Sequence, residues 1–318
     1  MSSSAVPAKY QQILDEVSAA YRAALAAGGY PPEVADRILG TFITCVAEEL
    51  SSPYQFEPYH QKLTAPFDYY AFGMDFFRPL VNKPASTLSG RDHLTRAAAQ
   101  IAAGENVIFL ANHQTEADPQ AISLMLEDDF ARMGSEMIFV AGERVTTDPL
   151  TVPFSRGRNL LCIYSKRYID HPPERKAFKT NHNRKTMERM AELLAEGGHC
   201  IYVAPSGGRD RRNANGVVEV APFDPQNVEM FHLMAQRAAH PTHFYPMAMD
   251  TFDILPPPET VQVALGEPRR MAHSPVHLAI GPELDMARFD EADRMERRAA
   301  RADAAWRAVC AEYARFPR

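Results

Sequence analysis

The turn NHQTEAD, residues 112–118, carries a histidine and an aspartate five positions apart, directly after the apolar run VIFL. An imidazole whose Nδ1–H is held by a carboxylate presents its other nitrogen as an oriented base. His113 is therefore a candidate general base, and Asp118 is the residue that would orient it. The turn contains no serine or cysteine. We therefore expect the substrate to supply the hydroxyl that reacts.

Asp118 also has a simpler interpretation. Asp118-Pro119 before an apolar helical pattern is typical of a helix N-cap followed by proline at N1. On one continuous helix His113 and Asp118 would lie about 140° apart, so their pairing requires a turn between a strand end and a helix start. A histidine such as His113, taken alone, is more often an ordinary loop histidine than a catalytic base. Because a carboxylate has two oxygens, Asp118 could cap the helix and hold His113 at once.

Two further apolar runs end in basic residues. Arg209 and Arg211 follow a glycine pair in APSGGRDRR, and their guanidinium groups have a geometry suited to phosphate. Lys166 and Arg167 follow the run LLCIYS. The C-terminal ends of parallel strands meet at one sheet edge, where open α/β sheets bind ligands. The pattern predicts a site for a phosphorylated small molecule with a free hydroxyl, and a solvated basic loop is the alternative.

The elements that must position these residues begin at about residue 90, where short apolar runs alternate with helical stretches. The runs are 106–112, 137–142, 160–165, 200–205, 243–250, 261–267 and 276–281, and the helical stretches include 119–133 and 175–198. This alternation predicts an α/β fold with a mixed, largely parallel sheet flanked by helices. The first sixty residues are predicted to be helical. We therefore expect a small helical domain at residues 1–75 and an α/β catalytic domain at 76–318.

Composition and missing motifs exclude several other classes of protein. A hydrophobic content of 46% with 23% charged residues is ordinary for a globular protein, and a net charge of -6 argues against a general nucleic-acid binder. The four cysteines form no CxxC pair, and neither a G-x-S-x-G elbow nor a GxxxxGK loop is present. His113, Glu116 and Asp118 lack a second histidine at ligand spacing, so no metal or other cofactor is predicted. No apolar stretch has the length of a membrane span, and a soluble chain is expected.

Four longer segments carry a resemblance to a known family. FEPYHQKLTAPFDYYAFGMDFFRPL, NHQTEADP, FVAGERVTTDPLTVPFSRGRNLLCIYSK and APSGGRDRR closely resemble the soluble, plastid-type glycerol-3-phosphate acyltransferases, which carry the HxxxxD signature of glycerolipid acyltransferases. The resemblance extends from about residue 55 to about residue 285. It implies acyl transfer from acyl carrier protein or coenzyme A to the sn-1 hydroxyl of glycerol 3-phosphate, without a metal or a covalent enzyme intermediate. It also implies a helical N-terminal domain before a mixed α/β domain.

The resemblance assigns roles residue by residue. His113 would be the general base and Asp118 its orienter, while Arg209 and Arg211 would hold the substrate phosphate together with Arg167 or Lys166. One departure concerns the segment where such enzymes usually show a serine, two lysines and a histidine. Here Tyr168 stands in place of the histidine, so altered acceptor affinity is expected.

A basic helix suggests a site for the donor. Residues 174–197 carry six cations in an acidic protein, at Arg175, Lys176, Lys179, Arg184, Lys185 and Arg189. As a hypothesis, this helix docks the acidic acyl carrier protein. A solvated helix face is the alternative.

Two rival functions fit the same residues. One is an enzyme of the same superfamily that acylates 1-acyl-glycerol 3-phosphate at the second position. The other is a non-catalytic module that binds a lipid phosphate or a carrier protein. For the acyltransferase, the expected location is the plastid stroma or the bacterial cytoplasm.

Overall fold

The computed structural model describes residues 6–166, 169–257 and 269–317. The helices are α1 (Ala8–Ala27), α2 (Pro32–Ser51), α3 (Tyr69–Phe77), α4 (Arg91–Ala102), α5 (Asp118–Leu126), α6 (Ala131–Glu136), α7 (Glu143–Thr147), α8 (Val152–Arg156), α9 (Lys176–Glu196), α10 (Pro225–Arg237) and α11 (Arg294–Tyr313). The strands are β1 (Tyr59–His60), β2 (Thr87–Ser89), β3 (Asn106–Ala111), β4 (Ile138–Gly142), β5 (Asn159–Ile163), β6 (Cys200–Val203), β7 (Arg211–Arg212), β8 (Val218–Glu219), β9 (Thr242–Asp250) and β10 (His277–Ile280).

Eight of these strands form one sheet in the order β1-β5-β4-β6-β3-β9-β10-β2. Neighbours are parallel except β1 with β5 and β9 with β10, which pair antiparallel. Every residue of β3, near the middle of the sheet, is buried, as expected for a strand covered by helices on both faces. The predicted mixed, largely parallel sheet is therefore confirmed. The run predicted as a strand at 261–267 lies outside the described residues.

The N-terminal helices pack on the same core as the sheet. The Tyr21 hydroxyl of α1 donates to the carbonyl of Phe76 in α3 at 2.8 Å, and the two rings lie 4.5 Å apart. Buried residues of α1, α2 and α3 share one hydrophobic cluster with those of β3, β4 and β9. The predicted boundary at residue 75 falls within α3, and the division into two domains stays a prediction.

The helix predicted at 119–133 is wrong, because the chain forms two helices there, α5 and α6. The residues between them include Glu127, Asp128 and Asp129, whose carboxylates pair with cations that precede β3 in the chain. α6 then folds back onto α5 at Gly134, where an added Cβ would lie 3.2 Å from the Cα of Ser123. The helical periodicity continues across this break, so the pattern alone did not show it.

Among the described helices, none is long and apolar enough to cross a membrane.

Candidate active site

The turn that carries His113 lies at the C-terminal end of β3. The chain leaves that strand at Ala111 and enters α5 at Asp118, so the two side chains are not on one helix. The Nδ1 atom of His113 lies 2.7 Å from Oδ2 of Asp118. Asp118 is buried, whereas the His113 side chain keeps 31% of its exposure. With Nδ1 held by a carboxylate, Nε2 is the nitrogen that can act as a base.

The Asp118 carboxylate does not cap its helix. It accepts from the backbone amides of Gln114 at 2.8 Å and Thr115 at 3.1 Å, both of which precede α5. Asp118 is itself the first residue of α5, and the residue before it makes no side-chain cap bond. The N-cap interpretation is therefore wrong, because both oxygens are taken up by the turn and by His113. These bonds fix the carboxylate that orients the imidazole.

Thr251 adds a further bond that the sequence did not reveal. Its hydroxyl donates to Oδ1 of Asp118 at 2.6 Å, and its backbone amide donates to the side chain of Gln114 at 2.7 Å. Thr251 follows β9, which pairs in parallel with β3. The signal that could have identified it was its position directly after an apolar strand, the same position that identified the His113 turn.

The segment Arg209-Asp210-Arg211, which follows β6 and leads into β7, is tied to His113 and to both of its neighbours. The backbone amide of Asp210 donates to the carbonyl of His113 at 2.6 Å. Its carboxylate accepts from the side chains of Asn112 at 2.8 Å and Gln114 at 3.3 Å. Burial raises the pKa of Asp210 to about 6, and bonds from Ala221, Asn112 and Gln114 counter this rise. We call this set of bonds the Asp210 clamp, and it sets the spacing between the base and the two arginines.

Guanidinium groups converge beside the clamp. Burial lowers the pKa of Arg209, whose side chain is 14% exposed; the charge of Glu116 opposes this shift, and the positive charges of Arg211, Arg144 and Arg269 add to it. Burial also lowers the pKa of Arg211; the charge of Asp210 opposes this shift, and that of Arg144 adds to it. The repulsion of Arg209 by Arg211, Arg144 and Arg269 marks a candidate point for binding an anion. A phosphate dianion at that point would relieve the repulsion.

Two carboxylates accompany these cations. Arg269 donates to Glu116 at 3.1 Å and to Asp148 at 2.9 Å, and all three side chains are buried. Oε1 of Glu116 lies 3.8 Å from Nη1 of Arg209 and accepts no hydrogen bond from the described residues. Arg144, Arg269 and Asp148 were not predicted. They are far from the RDR loop in sequence, so no local pattern connects them with it.

Of the other predicted phosphate ligands, only Lys166 lies among the described residues, and it is not seen in this cluster. Lys166 is exposed, and its Nζ lies 3.5 Å from Oε1 of Gln226 in α10. Its charge is not among those that shift the pKa of Arg209 or Arg211. Arg167 and Tyr168 lie outside the described residues. The roles assigned to Lys166 and Arg167 stay predictions.

An apolar cavity of about 130 Å³ adjoins His113 and Glu116. Its wall includes Val17 of α1, Phe42 of α2, Phe76 of α3 and Phe154 of α8. The Phe154 ring stacks on Phe42 at 5.7 Å and packs edge-on against Phe76 at 4.9 Å. Small-molecule sites are concave and mostly apolar with a few placed polar groups. This cavity fits a hydrocarbon chain whose reactive end lies at His113.

The cations of the basic helix α9 are less available to a docking partner than the sequence suggested. Lys179 is buried, and its Nζ donates to Glu143 at 2.9 Å and to the carbonyl of His171 at 2.8 Å, so it cannot contact a docking partner. Arg184 and Arg189 form ion pairs with glutamates of the same helix. These pairs neutralise much of the charge that suggested docking. Over the described part of the chain, no group of three or more histidines, cysteines or carboxylates is placed to hold a metal ion.

Comparisons with known proteins identify the family to which the chain belongs. Residues 87–250 match the family model described as Acyltransferase. The chloroplastic glycerol-3-phosphate acyltransferase of Arabidopsis thaliana is 40% identical over 239 residues, which cover 75% of this chain and 52% of that protein. The enzyme of the same name from Pisum sativum is 36% identical over 287 residues, 89% of this chain and 62% of the relative. The chain thus spans about half to three-fifths of the length of these curated relatives.

A solved structure is also similar to this chain, but with a lower sequence identity than these relatives. The 1-acyl-sn-glycerophosphate acyltransferase of Thermotoga maritima aligns with a TM-score of 0.44 and 16% identity, over 79% of this chain and 80% of that one. At these values the likeness carries no argument about function.

Proposed function

The chain belongs to the acyltransferase family, and we propose that it transfers an acyl group from a thioester to the sn-1 hydroxyl of glycerol 3-phosphate, giving 1-acyl-sn-glycerol 3-phosphate. One observation carries this proposal. The His113–Asp118 pair lines an apolar cavity, and the segment that carries Arg209 and Arg211 is hydrogen-bonded to His113, so a candidate base, chain site and anion site adjoin one another. The names of the relatives support glycerol 3-phosphate as the acceptor.

The reaction needs one proton transfer in each direction. Nε2 of His113 takes the proton of the sn-1 hydroxyl while its oxygen attacks the thioester carbonyl. The tetrahedral intermediate then collapses, the C–S bond breaks, and the imidazolium returns the proton to the leaving sulfur. Asp118 stabilises the imidazolium through the 2.7 Å contact. A positioned base of this kind contributes about 10² to 10⁴ in rate.

The acceptor is held at both ends. Arg209 and Arg211 bind its phosphate, with Arg144 beside them and Lys166 or Arg167 as further ligands. The hydroxyl on the second carbon donates to Oε1 of Glu116, a buried oxygen that accepts no hydrogen bond from the described residues. The Asp210 clamp then decides which hydroxyl reaches His113, because it fixes the separation between the base and the phosphate site.

The donor is an acyl-acyl carrier protein or an acyl-coenzyme A, with its chain in the cavity beside His113. The pairing of Arg184 and Arg189 and the burial of Lys179 leave α9 a weaker candidate for carrier docking than its sequence suggested. The relatives are chloroplastic by name, which supports the plastid stroma, and the bacterial cytoplasm is the second proposed location.

The acceptor dependence of thiol release tests this function against its rivals. Palmitoyl-coenzyme A and palmitoyl-acyl carrier protein are each incubated with the enzyme and glycerol 3-phosphate, its 1-acyl derivative or no acceptor. We expect release that depends on glycerol 3-phosphate. Release only with the 1-acyl derivative would identify the second-position enzyme. Tight binding of thioester and glycerol 3-phosphate without release would identify a binding module.

Asp210 is a positioning residue, and its replacement is expected to loosen the choice of hydroxyl. In Asp210→Asn an amide group faces donors that need an acceptor, so the clamp loses a hydrogen bond. We expect kcat/KM to fall roughly 10- to 100-fold, because small misplacements of reacting groups are costly. A share of 2-acyl product is also expected, measured by mass spectrometry before acyl migration. Asp253→Asn, at an exposed aspartate, is the control. A loss of rate with unchanged product ratio would reduce Asp210 to a structural role.

A further inference from the structure

Lys179 is a fully buried lysine that the proposed reaction does not use. It lies near the start of α9 and is 1% exposed. Its Nζ atom donates to Oε2 of Glu143 at 2.9 Å and to the carbonyl of His171 at 2.8 Å, and it lies 5.1 Å from the centre of the Tyr164 ring. Lysine is almost never fully buried unless its charge is paired. These contacts join α9 to the segments that follow two paired strands, β4 and β5.

The placement of α7 depends on one of these contacts. α7 has five residues, Glu143–Thr147, and a helix this short is not stable on its own. Buried cations hold both of its ends. Lys179 contacts Glu143 at the start, and Arg269 contacts Asp148, the residue that follows the helix, at 2.9 Å. The helix therefore lies where these two ion pairs place it.

α7 carries Arg144, the cation beside the proposed phosphate ligands. Val145, the next residue, lines the same cavity as His113. The positive charge of Arg144 also contributes to the lowered pKa of Arg209 and of Arg211. Arg144 therefore belongs to the cluster of cations in which the acceptor phosphate is proposed to bind.

The stability of the core does not explain a lysine at position 179. Taking an ammonium group out of water is costly, and replacing a buried ion pair with apolar residues of similar volume is often neutral or stabilising. The pair provides a fixed direction instead, because the ammonium group stays within hydrogen-bond distance of both Glu143 and His171. A buried charge here is better explained by the placement of the two segments that it joins.

We propose that Lys179 is a positioning residue of the acceptor site: through Glu143 it keeps Arg144 where the acceptor phosphate binds. The proposal rests on the proposed function, because it concerns the phosphate site of the acceptor. Arg144 directly follows Glu143, so release of Glu143 lets the first turn of α7 move. A lost hydrogen bond to a charged group lowers affinity roughly 10-fold or more. We therefore expect glycerol 3-phosphate to bind roughly 10-fold more weakly without Lys179.

Equilibrium binding tests this role without turnover. Glycerol 3-phosphate, inorganic phosphate and a palmitoyl pantetheine amide, which cannot react, are each titrated calorimetrically into the whole protein. In Lys179→Met we expect both phosphate ligands to bind roughly 10-fold more weakly. The Kd of the palmitoyl conjugate should stay within about twofold of wild type, because its binding does not depend on the phosphate site. Lys9→Met, at an exposed lysine of α1, is the control and should change none of the three affinities.

A double-mutant cycle tests whether the effect passes through Arg144. Arg144→Met should itself weaken the binding of both phosphate ligands, and in that background Lys179→Met should add less than about twofold. Effects of the two substitutions that multiply in full would show independent roles and would overturn the inference. If Lys179→Met does not fold, Lys179→Met/Glu143→Gln takes its place in every comparison, because it leaves no unpaired charge at this position.

The outcomes separate this inference from the proposed function. An unchanged affinity for either phosphate ligand in Lys179→Met, or an equal loss of affinity for the palmitoyl conjugate, would reduce Lys179 to a structural role. A wild type that binds neither phosphate ligand would overturn the inference together with the phosphate site. If the wild type binds glycerol 3-phosphate but transfers no acyl group to it, the proposed function alone is contradicted.

Discussion

Replacing His113 with alanine is expected to lower the kcat for glycerol 3-phosphate acylation by about 10² to 10⁴-fold while the KM values change little. The side chain takes a proton that is in transit only in the transition state, so its loss affects the chemical step more than binding. Asp118→Asn should give a loss of similar order, because an amide cannot hold the imidazole in the tautomer that leaves Nε2 unprotonated. Both variants are assayed by thiol release under saturating substrates.

The matched control for this prediction is His240→Ala, at an exposed histidine. That variant should retain the wild-type rate. If His113→Ala retained full activity, the His113–Asp118 contact would be part of a structural turn, and the proposed mechanism would be wrong.

Arg209→Met is expected to reduce kcat/KM for glycerol 3-phosphate by roughly 10²-fold or more, mainly through the KM. A hydrogen bond to a charged group is worth about 1.5 to 3 kcal/mol net, or roughly 10- to 150-fold, and a guanidinium can supply two of them to one phosphate. Arg209→Lys should recover part of the loss, since lysine keeps the positive charge but cannot make the two parallel hydrogen bonds of a guanidinium. The KM for the acyl donor should stay within about twofold of wild type, because this side chain does not line the cavity.

Arg212→Met is the matched control, because it changes an arginine of the same loop that is half-exposed and pairs with Asp253. It should alter neither KM. A similar rise in the acyl donor KM, or equal effects of Arg209→Met and Arg212→Met, would remove the phosphate site from this position.

The sequence predicted the parts of the site that depend on strand ends. His113 and Arg209 each follow an apolar run, and parallel pairing of β3 with β6 brings the two runs to the same sheet edge. The positions of these residues after strands were therefore enough to predict that His113 and the segment with Arg209 and Arg211 lie at one edge of the sheet. The assignments of His113, Asp118, Arg209 and Arg211 to catalysis and phosphate binding stay predictions until the variants are measured.

The two interpretations that proved wrong, of Asp118 and of Lys179, share a physical cause. Asp118 resembled a helix cap because its local pattern is that of one, but two backbone amides of the preceding turn and the hydroxyl of Thr251, 133 residues later, take its oxygens. Lys179 was expected at the surface, yet packing buries it against Glu143. Such long-range partners have no signature in the neighbouring residues, because burial and pairing are decided by the assembled fold.

Asp210 illustrates a role that only packing reveals. In sequence it is the acidic residue that separates two arginines, and a solvated loop explained it equally well. In the structure its carboxylate is fully buried and bonds to the side chains on either side of His113. The residue between the two proposed phosphate ligands thus holds the residues that flank the proposed base, so we expect this one side chain to set the distance between the two groups.

The most direct test of the central claim is the identity of the product. The enzyme is incubated with a palmitoyl thioester and isotopically labelled glycerol 3-phosphate, and labelled lipid and released thiol are quantified together. We predict labelled 1-palmitoyl-sn-glycerol 3-phosphate in one-to-one proportion with the thiol. Thiol release that yields free palmitate without labelled lipid would show hydrolysis, and would contradict the assignment of this site to acyl transfer onto glycerol 3-phosphate.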